Sequence, residues 1–343
     1  MGVQITELLK LKEISISELA NKIIAVDAHL FLYQFLTTIR QRDGTPLMDS
    51  KGNATSHLTG LFTRTSSLVQ TGLKLAYVFD GKPPELKQKE RERRKEIKIE
   101  SAKKFKEAAK KQDIEEMKKY AARTSRLTPE MIGESKKLIS YFGLPVIEAP
   151  SEGEAQAAYL VKNNDAFAVA SQDADCLLFG SPRLIKNLSI AGKRKKTNKL
   201  AYETITPEIA DLPENLDYLG INQDQLIVLA ILVGTDYNYG GVKGIGPKNA
   251  LKLVKKYDSN FDKLFEEVKW NNYFDFPWAD VFNLIKKMPV TDKYKLEWKA
   301  VDKEKIIKLL IDEHDFSEER VSSILDKLMH GTQQKQQKSL SDF

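Results

Sequence analysis

Short apolar runs alternate with stretches of helical periodicity through the first half of the chain. Residues 22–27 (KIIAVD) and 75–80 (LAYVFD) are continuous runs rich in Val, Ile and aromatics, which predicts buried strands. PVIEA at 145–149 and AFAVAS at 166–171 read the same way. Apolar positions recur at helical spacing over 28–41, 56–71, 129–142 and 152–163. Strand–helix–strand alternation predicts an α/β fold, a central, mostly parallel sheet flanked by helices. From residue 222 the pattern is almost wholly helical: 222–234, 247–256, 278–287, 303–313 and 317–329. Residues 84–124 carry no clear apolar stripe and are expected to form a polar helical insertion. The stretch from Thr332 is rich in Gln, Lys and Ser and is expected to be disordered. No internal repeat is found.

Composition narrows the class. At 343 residues the chain holds two domains or one large α/β unit with insertions, and 41% hydrophobic residues suffice for a sizeable core. No apolar run approaches the roughly 20 residues of a membrane-spanning helix, and the N-terminus lacks the layout of a secretory signal. MGVQIT fits a myristoylation pattern, but no polybasic segment supplies the second anchoring signal. The single cysteine, Cys176, excludes an intrachain disulfide and a Cys-based zinc site. The histidines, His29, His57, His314 and His330, are too scattered for a His-rich metal site. The expectation is a soluble intracellular protein that does not engage a membrane.

The net charge of +6 is local in origin. Residues 82–126 contain 17 Lys and Arg against 9 Asp and Glu, a balance of 17 − 9 = +8, so the rest of the chain is slightly acidic. Lys87, Arg91, Arg94 and Lys98 follow an i, i+4, i+7, i+11 spacing, one face of a helix. A solvated, salt-bridged helix is the ordinary explanation of such a run. Here Glu90, Glu92, Glu96 and Glu100 lie mostly off the stripe and leave it unbalanced, which favours a surface that tracks phosphates.

The strand ends carry acids. IIAV ends in Asp27 and AYVF in Asp80. SEGE, with Glu152 and Glu154, follows the third strand; QDAD, with Asp173 and Asp175, follows the fourth. The apolar helix at 226–233 runs into GTD, with Asp236. Each acid has a plain structural alternative: Asp27 as a helix cap, Asp80 and Asp173 as turn residues, and Ser151 with Glu154 as a capping box. Taken together, the acids gather at the edge where open parallel sheets bind ligands. Like charges so placed raise one another's pKa, and an all-oxygen donor set relieves this with Mg²⁺ or Mn²⁺. Two such ions about 4 Å apart activate water for in-line displacement at a phosphodiester. Seven carboxylates against two divalent ions leave about −3, so cations must draw the anionic substrate in. Lys87 and Arg94 stand close after Asp80.

VDA, VFDGKPP, APSEGEA, SQDADCLLFG and GTDYN…GIGPK, with the opening MGVQ and YQFL at 33–36, resemble in order and spacing the motifs of the flap endonucleases, within the XPG-like structure-specific 5′-nucleases. The resemblance covers about residues 1–330. It implies an Mg-dependent enzyme that cuts 5′ flaps at junctions of single- and double-stranded DNA, in Okazaki-fragment maturation and repair. It implies that Asp27, Asp80, Glu152, Glu154, Asp173, Asp175 and Asp236 bind two Mg²⁺, with Mn²⁺ able to substitute. Lys87 and Arg94 are implied as the catalytic cations at the base of a helical arch, alongside Asp80 and Glu152. Tyr33 is implied to stack on a base, with Arg91 and Lys98 as further DNA contacts, and Gly2 to lie near the active site. GVKGIGPK at 241–248 is similar to a helix–two-turn–helix that holds duplex DNA with a K⁺ ion, through Lys243, Gly244, Gly246 and Lys248. The stretch from Asp236 to Gly244 is about one residue longer than that pattern.

Gln337, Leu340 and Phe343 resemble a sliding-clamp (PCNA) box. The resemblance divides the chain into an N-region at 1–105, an arch at 84–124, an I-region at 125–256, a helical part at 257–332 and a flexible tail at 333–343. It implies a monomer of archaeal type in the cytoplasm, or the nucleus of a eukaryote. Two alternatives stand beside it: a 5′ exonuclease or junction resolvase of the same family, and a non-catalytic DNA-junction or clamp scaffold. The scaffold should have lost several of the seven acids.

Overall fold

Among the described residues, nine strands and the helices around them account for most of the chain. The strands are β1 (Lys12–Glu13), β2 (Ile23–Asp27), β3 (Lys74–Phe79), β4 (Val146–Glu148), β5 (Ala168–Ala170), β6 (Arg183–Lys186), β7 (Gly192–Lys195), β8 (Tyr202–Ile205) and β9 (Glu208–Asp211). The computed structural model describes the backbone of residues 3–190, 192–195 and 202–341, and their side chains apart from 122, 193–195, 202–204 and 330–341. Among the described residues, seven strands form one sheet in the order β1-β9-β6-β5-β2-β3-β4. The strands β6-β5-β2-β3-β4 run parallel, while β9 and β1 join antiparallel at one side. β7 and β8 pair separately as an antiparallel ribbon.

The helices in chain order are α1 (Ala28–Thr38), α2 (Ser56–Gln70), α3 (Gln88–Lys110), α4 (Ile114–Ala121), α5 (Pro129–Tyr141), α6 (Gly153–Lys162) and α7 (Asp175–Leu178). They continue with α8 (Leu212–Leu219), α9 (Gln223–Val233), α10 (Pro247–Tyr257), α11 (Phe261–Glu267), α12 (Trp278–Lys286), α13 (Lys303–Ile307) and α14 (Glu318–Ser341). Because successive strand residues point to opposite faces, β2 and β3 feed two cores. Ala25, Ala76 and Val78 pack with α6 and α9; Ile24, Val26, Leu75, Tyr77 and Phe79 pack with α1, α2, α5 and α14. The small residues on the first face, with Ala155, Ala157 and Ala158 of α6, bring that helix close to the sheet. α9 is buried from Gln225 to Leu232 on all sides, as a helix apolar all round must be. Each fully buried Leu or Ile contributes about 1.5–3 kcal/mol, so these two layers hold the strand ends in fixed relation.

The structure departs from the elements expected of the sequence in several places. β1, β6 and β9 were not anticipated, because runs such as RLIK and EIAD are short and mix charge with apolar residues. The pattern at 303–313 divides into α13 and a π turn at Lys308–Asp312. α14 carries helical backbone through Ser341, across the stretch from Thr332 expected to be disordered. The polar insertion is two helices, α3 and α4, joined at 111–113. No single helix among the described residues is long and apolar enough to cross a membrane.

Candidate active site

Parallel pairing aligns the carboxyl ends of β5, β2, β3 and β4. Asp27 is the last residue of β2 and also the N-cap of α1, its Oδ1 accepting from the Leu30 amide at 3.0 Å. Capping and site-building are therefore the same placement, since a strand-to-helix turn needs an acceptor where the sheet edge opens. Asp80 follows β3; its Oδ1 accepts from the Gly153 amide at 2.7 Å and its own amide donates to His29 Nδ1 at 3.0 Å. A Cβ on Gly153 would lie 2.7 Å from Asp80 Oδ1, so glycine permits this approach. Glu152 is the N-cap of α6 without a side-chain capping bond, and Ser151 Oγ donates to the Lys82 carbonyl instead. The capping box expected of Ser151 and Glu154 is thus not formed, and Glu154 is left facing the acids. Ser171 Oγ donates to Glu154 Oε1 at 3.0 Å and to Asp27 Oδ2 at 3.4 Å, tying the ends of β5, β2 and α6 together. Asp175 starts α7 and its Oδ1 accepts from the Val3 amide at 2.6 Å, which seats the N-terminal segment on the same edge. Gly2 lies outside the described residues.

Asp236 reaches the edge from a different element. Gly234, at φ 111°, ends α9 in a turn closed to L residues by the Gly241 amide, 2.7 Å from where a Cβ would sit. Asn238 Nδ2 donates to the Ile231 carbonyl at 2.7 Å, and Asn238 Oδ1 accepts from Thr235 Oγ1 at 2.7 Å. These buried braces, absent from the sequence reading, fix where Asp236 points. Their only signal in sequence is a polar T-D-Y-N run between an apolar helix and a Gly pair.

Electrostatics bind the seven acids into one group. Withdrawal from water, then the Asp80 charge, pushes Asp27 up to about 8. Burial, then Asp173, pushes Asp175 up to about 7. Burial, then Asp175, Asp27 and Asp173, holds Glu154 well above the usual carboxylate range. Glu152 is raised by burial, against the opposing pull of Lys87. Lys87 Nζ lies 2.7 Å from Glu152 Oε2 and 3.3 Å from Asp236 Oδ2. Burial alone would lower its pKa, but these carboxylates outweigh it and hold the ammonium above its ordinary value. Arg94 Nη2 donates to Asp236 Oδ1 at 2.5 Å.

Among the described residues no three acids close into a ready-made ligand cage. The donor set nevertheless fits hard divalent cations, which keep much of their water and take only one or two carboxylates each. The Oε1 atom of Glu152 is buried without a hydrogen-bond partner, an acceptor left over at the centre of the acidic edge.

The basic stripe divides on inspection. Lys87 and Arg94 enter the acidic edge; Lys98 Nζ lies over the Tyr33 ring at 5.2 Å; Arg91 is exposed and makes no side-chain ion pair or hydrogen bond among the described residues. Off the stripe, Arg93 stacks on Tyr239 at 3.7 Å, and both it and Arg94 are held by Glu90. Lys243, Gly244, Gly246 and Lys248 are exposed around the turn into α10, whose first residue is Pro247. The side chains of Gln337 and Leu340, and the whole of Phe343, lie outside the described residues.

An acid-edged parallel sheet beneath the base of a cationic helix defines a hydrolase of anionic diesters, a nuclease by class. Residues 1–101 match the XPG N-terminal domain and residues 143–236 the XPG I-region, so all seven acids fall inside the matched segments. The chain is 54% identical to flap endonuclease 1 of Thermofilum pendens over 330 residues, 96% of this chain and 94% of that one. It superimposes on the solved flap endonuclease-1 of Methanococcus jannaschii with a TM-score of 0.76 and 44% identity, covering 97% and 100% of the two chains. The catalytic core of Rad2, solved in complex with DNA substrate, aligns at a TM-score of 0.66 and 27% identity over 93% of this chain and 96% of that one. The chain belongs to the flap endonuclease family; it is a DNA-binding, structure-specific endonuclease of the metal-dependent XPG type, a hydrolase of DNA replication and repair.

Proposed function

We propose that the enzyme cuts 5′ flaps near the junction of single- and double-stranded DNA, and that Asp27, Asp80, Glu152, Glu154, Asp173, Asp175 and Asp236 hold two Mg²⁺ ions, directly or through water, with Mn²⁺ able to substitute. The observation that carries this reading is the gathering of six acids at four aligned strand ends, met by Asp236 from α9 and by Lys87 and Arg94 from the base of the polar helices. Bound there, the ions supply an activated water and offset charge on the leaving oxygen.

The chain's own part is to bring the phosphodiester in. Lys87 and Arg94 sit within hydrogen-bond reach of the acids, so exchanging a carboxylate partner for a phosphate oxygen draws the scissile group onto the edge. Tyr33, with Lys98 over its ring, is placed to stack an unpaired base. α3 and α4 stand as the arch that the 5′ strand passes. The exposed turn at 241–248, with Lys243 and Lys248, suits the duplex backbone and would be where a K⁺ ion assists. The solved Rad2 core, in complex with DNA substrate, supports DNA as the ligand. We further propose that the protein acts as a monomer in the cytoplasm of an archaeal-type cell, and that Gln337, Leu340 and Phe343 dock in the groove of a sliding clamp.

The test is incubation with labelled flap, nicked, Holliday-junction and single-stranded DNA, with and without Mg²⁺. Flap cleavage strictly dependent on the metal is expected. Preferential resolution of the Holliday junction, or end-directed degradation without junction preference, moves the assignment to the other members of the family.

A further inference from the structure

Glu90 is 4% exposed on a helix whose surface is otherwise mostly charged and wet. It accepts three charge-assisted hydrogen bonds. Arg93 donates through Nε to Oε2 at 2.6 Å and through Nη2 to Oε1 at 2.8 Å; Arg94 donates through Nε to Oε1 at 2.7 Å. The spacing i, i+3, i+4 brings all three side chains to one side of α3. From that shared anchor the two guanidiniums diverge. Arg93 places its Cζ over the exposed ring of Tyr239, 3.7 Å from the centroid, and Arg94 turns its Nη2 onto Asp236 at 2.5 Å. Tyr239 and Asp236 belong to the same braced loop after α9, so one buried carboxylate ties the base of the arch to the acidic edge.

A guanidinium is planar, and fixing Nε fixes the direction in which both Nη groups point. We infer that Glu90 is a positioning residue, which holds Arg94 aimed at the scissile phosphate and Arg93 against Tyr239. The inference rests on the reading of Arg94 as the cation that meets that phosphate. Without Glu90 the Arg94 side chain regains its rotamers, and part of its effect is spent on ordering it during the reaction. Loss of a partner that orients a metal ligand typically costs about 10–100-fold, and a loss of that order is expected for one that orients Arg94.

The sign of the effect separates this from simple electrostatics. Glu90→Gln removes a negative charge beside a site that must attract DNA, so charge alone would tighten binding and leave or raise the rate. Positioning demands the opposite. The experiment measures single-turnover cleavage of flap DNA at saturating Mg²⁺, and the dissociation constant of that DNA, for wild type, Glu90→Gln, Glu90→Asp, Arg94→Ala and Glu90→Gln/Arg94→Ala. Expected are rates about 10–100-fold lower for both single Glu90 variants, with affinity unchanged or tighter. Glu90→Asp keeps the charge but is too short to span both arginines. The double variant should be no slower than Arg94→Ala. Wild-type rates for Glu90→Gln beside a slow Arg94→Ala overturn the inference and leave the Arg94 reading standing; so does a double variant whose losses multiply. A wild-type rate for Arg94→Ala removes the Arg94 reading and this inference with it.

Discussion

The Nζ of Lys87 meets the Oε2 of Glu152 at 2.7 Å, across 65 positions of sequence, where neither side chain is more than 18% exposed. One partner opens the polar helices and the other opens α6 after β4, so the contact joins the start of α3 to the sheet. An ion pair this withdrawn from solvent is costly to break by removing one partner, because the other charge is left buried.

Lys87→Ala and Arg94→Ala should each slow single-turnover cleavage by about 10²–10³, the usual loss for one preorganised donor. The affinity for flap DNA should change far less, since many other cations share the binding. Lys103→Ala, exposed on α3, is the control and should leave both constants near wild type. Affinity falling as far as the rate, or a control as slow as the test variants, would reduce the two cations to a general phosphate-binding surface.

Asp27→Asn should abolish cleavage while stabilising the protein in chelator at alkaline pH. Asn keeps the cap on the Leu30 amide and removes the charge. A carboxyl raised to about 8 from an unfolded value near ~4 favours the folded state below that lower value, and the benefit is lost as pH rises through about 8. The variant should therefore gain up to about 5 kcal/mol, several degrees in Tm, at pH 9 and nothing at pH 4. Thermal melts across that range check it; an equal gain at both ends contradicts the buried-charge account.

Asp49 and His314 set a separate acid limit on stability. The Asp49 carboxylate accepts from His314 Nδ1 at 3.0 Å, from the Asn53 side chain at 2.9 Å and from the Asn53 and Lys51 amides. Burial alone would raise its pKa, but these bonds, those from Asn53 foremost, outweigh it and bring the group down to about 2. For a depressed carboxyl the stabilisation is present above the unfolded value near ~4 and is lost as pH falls through about 2. Urea titrations should show Asp49→Asn destabilised by a constant amount from pH 5 to 7, with the gap to wild type closing below pH 4. A gap that stays constant down to pH 2 would refute the linkage.

Removing residues 333–343 should leave intrinsic flap cleavage unchanged and abolish stimulation by a sliding clamp, whose groove takes short apolar peptides. Calorimetry with Phe343→Ala provides the second measurement. Undiminished clamp affinity in that variant would exclude the tail as the docking segment.

The sequence by itself determined the acids and the sheet that carries them. Buried parallel strands are continuous apolar runs, and each of these ends on or runs within a few residues into carboxylates, so Asp27, Asp80, Glu152, Glu154, Asp173 and Asp175 were legible without coordinates. The helical periods of α1, α2, α5, α6 and α9 were legible for the same reason: burial on one face or on all faces leaves its mark in the order of residues. The motif resemblance pointed to Lys87 and Arg94 as the cations that reach those acids, but the spacing of the stripe did not single them out. A seven-residue spacing places Lys87 and Arg94 on one side of a helix, but it places Arg91 there too, and only the packing of α3 against the loop after α9 separates them. Glu90 looked like one of four solvated glutamates, because nothing in a polar helix reveals which carboxylate will be covered. The braces from Asn238 and Thr235 and the Ser171 link between Asp27 and Glu154 were likewise invisible, since hydrogen bonds between distant segments leave no period in the chain.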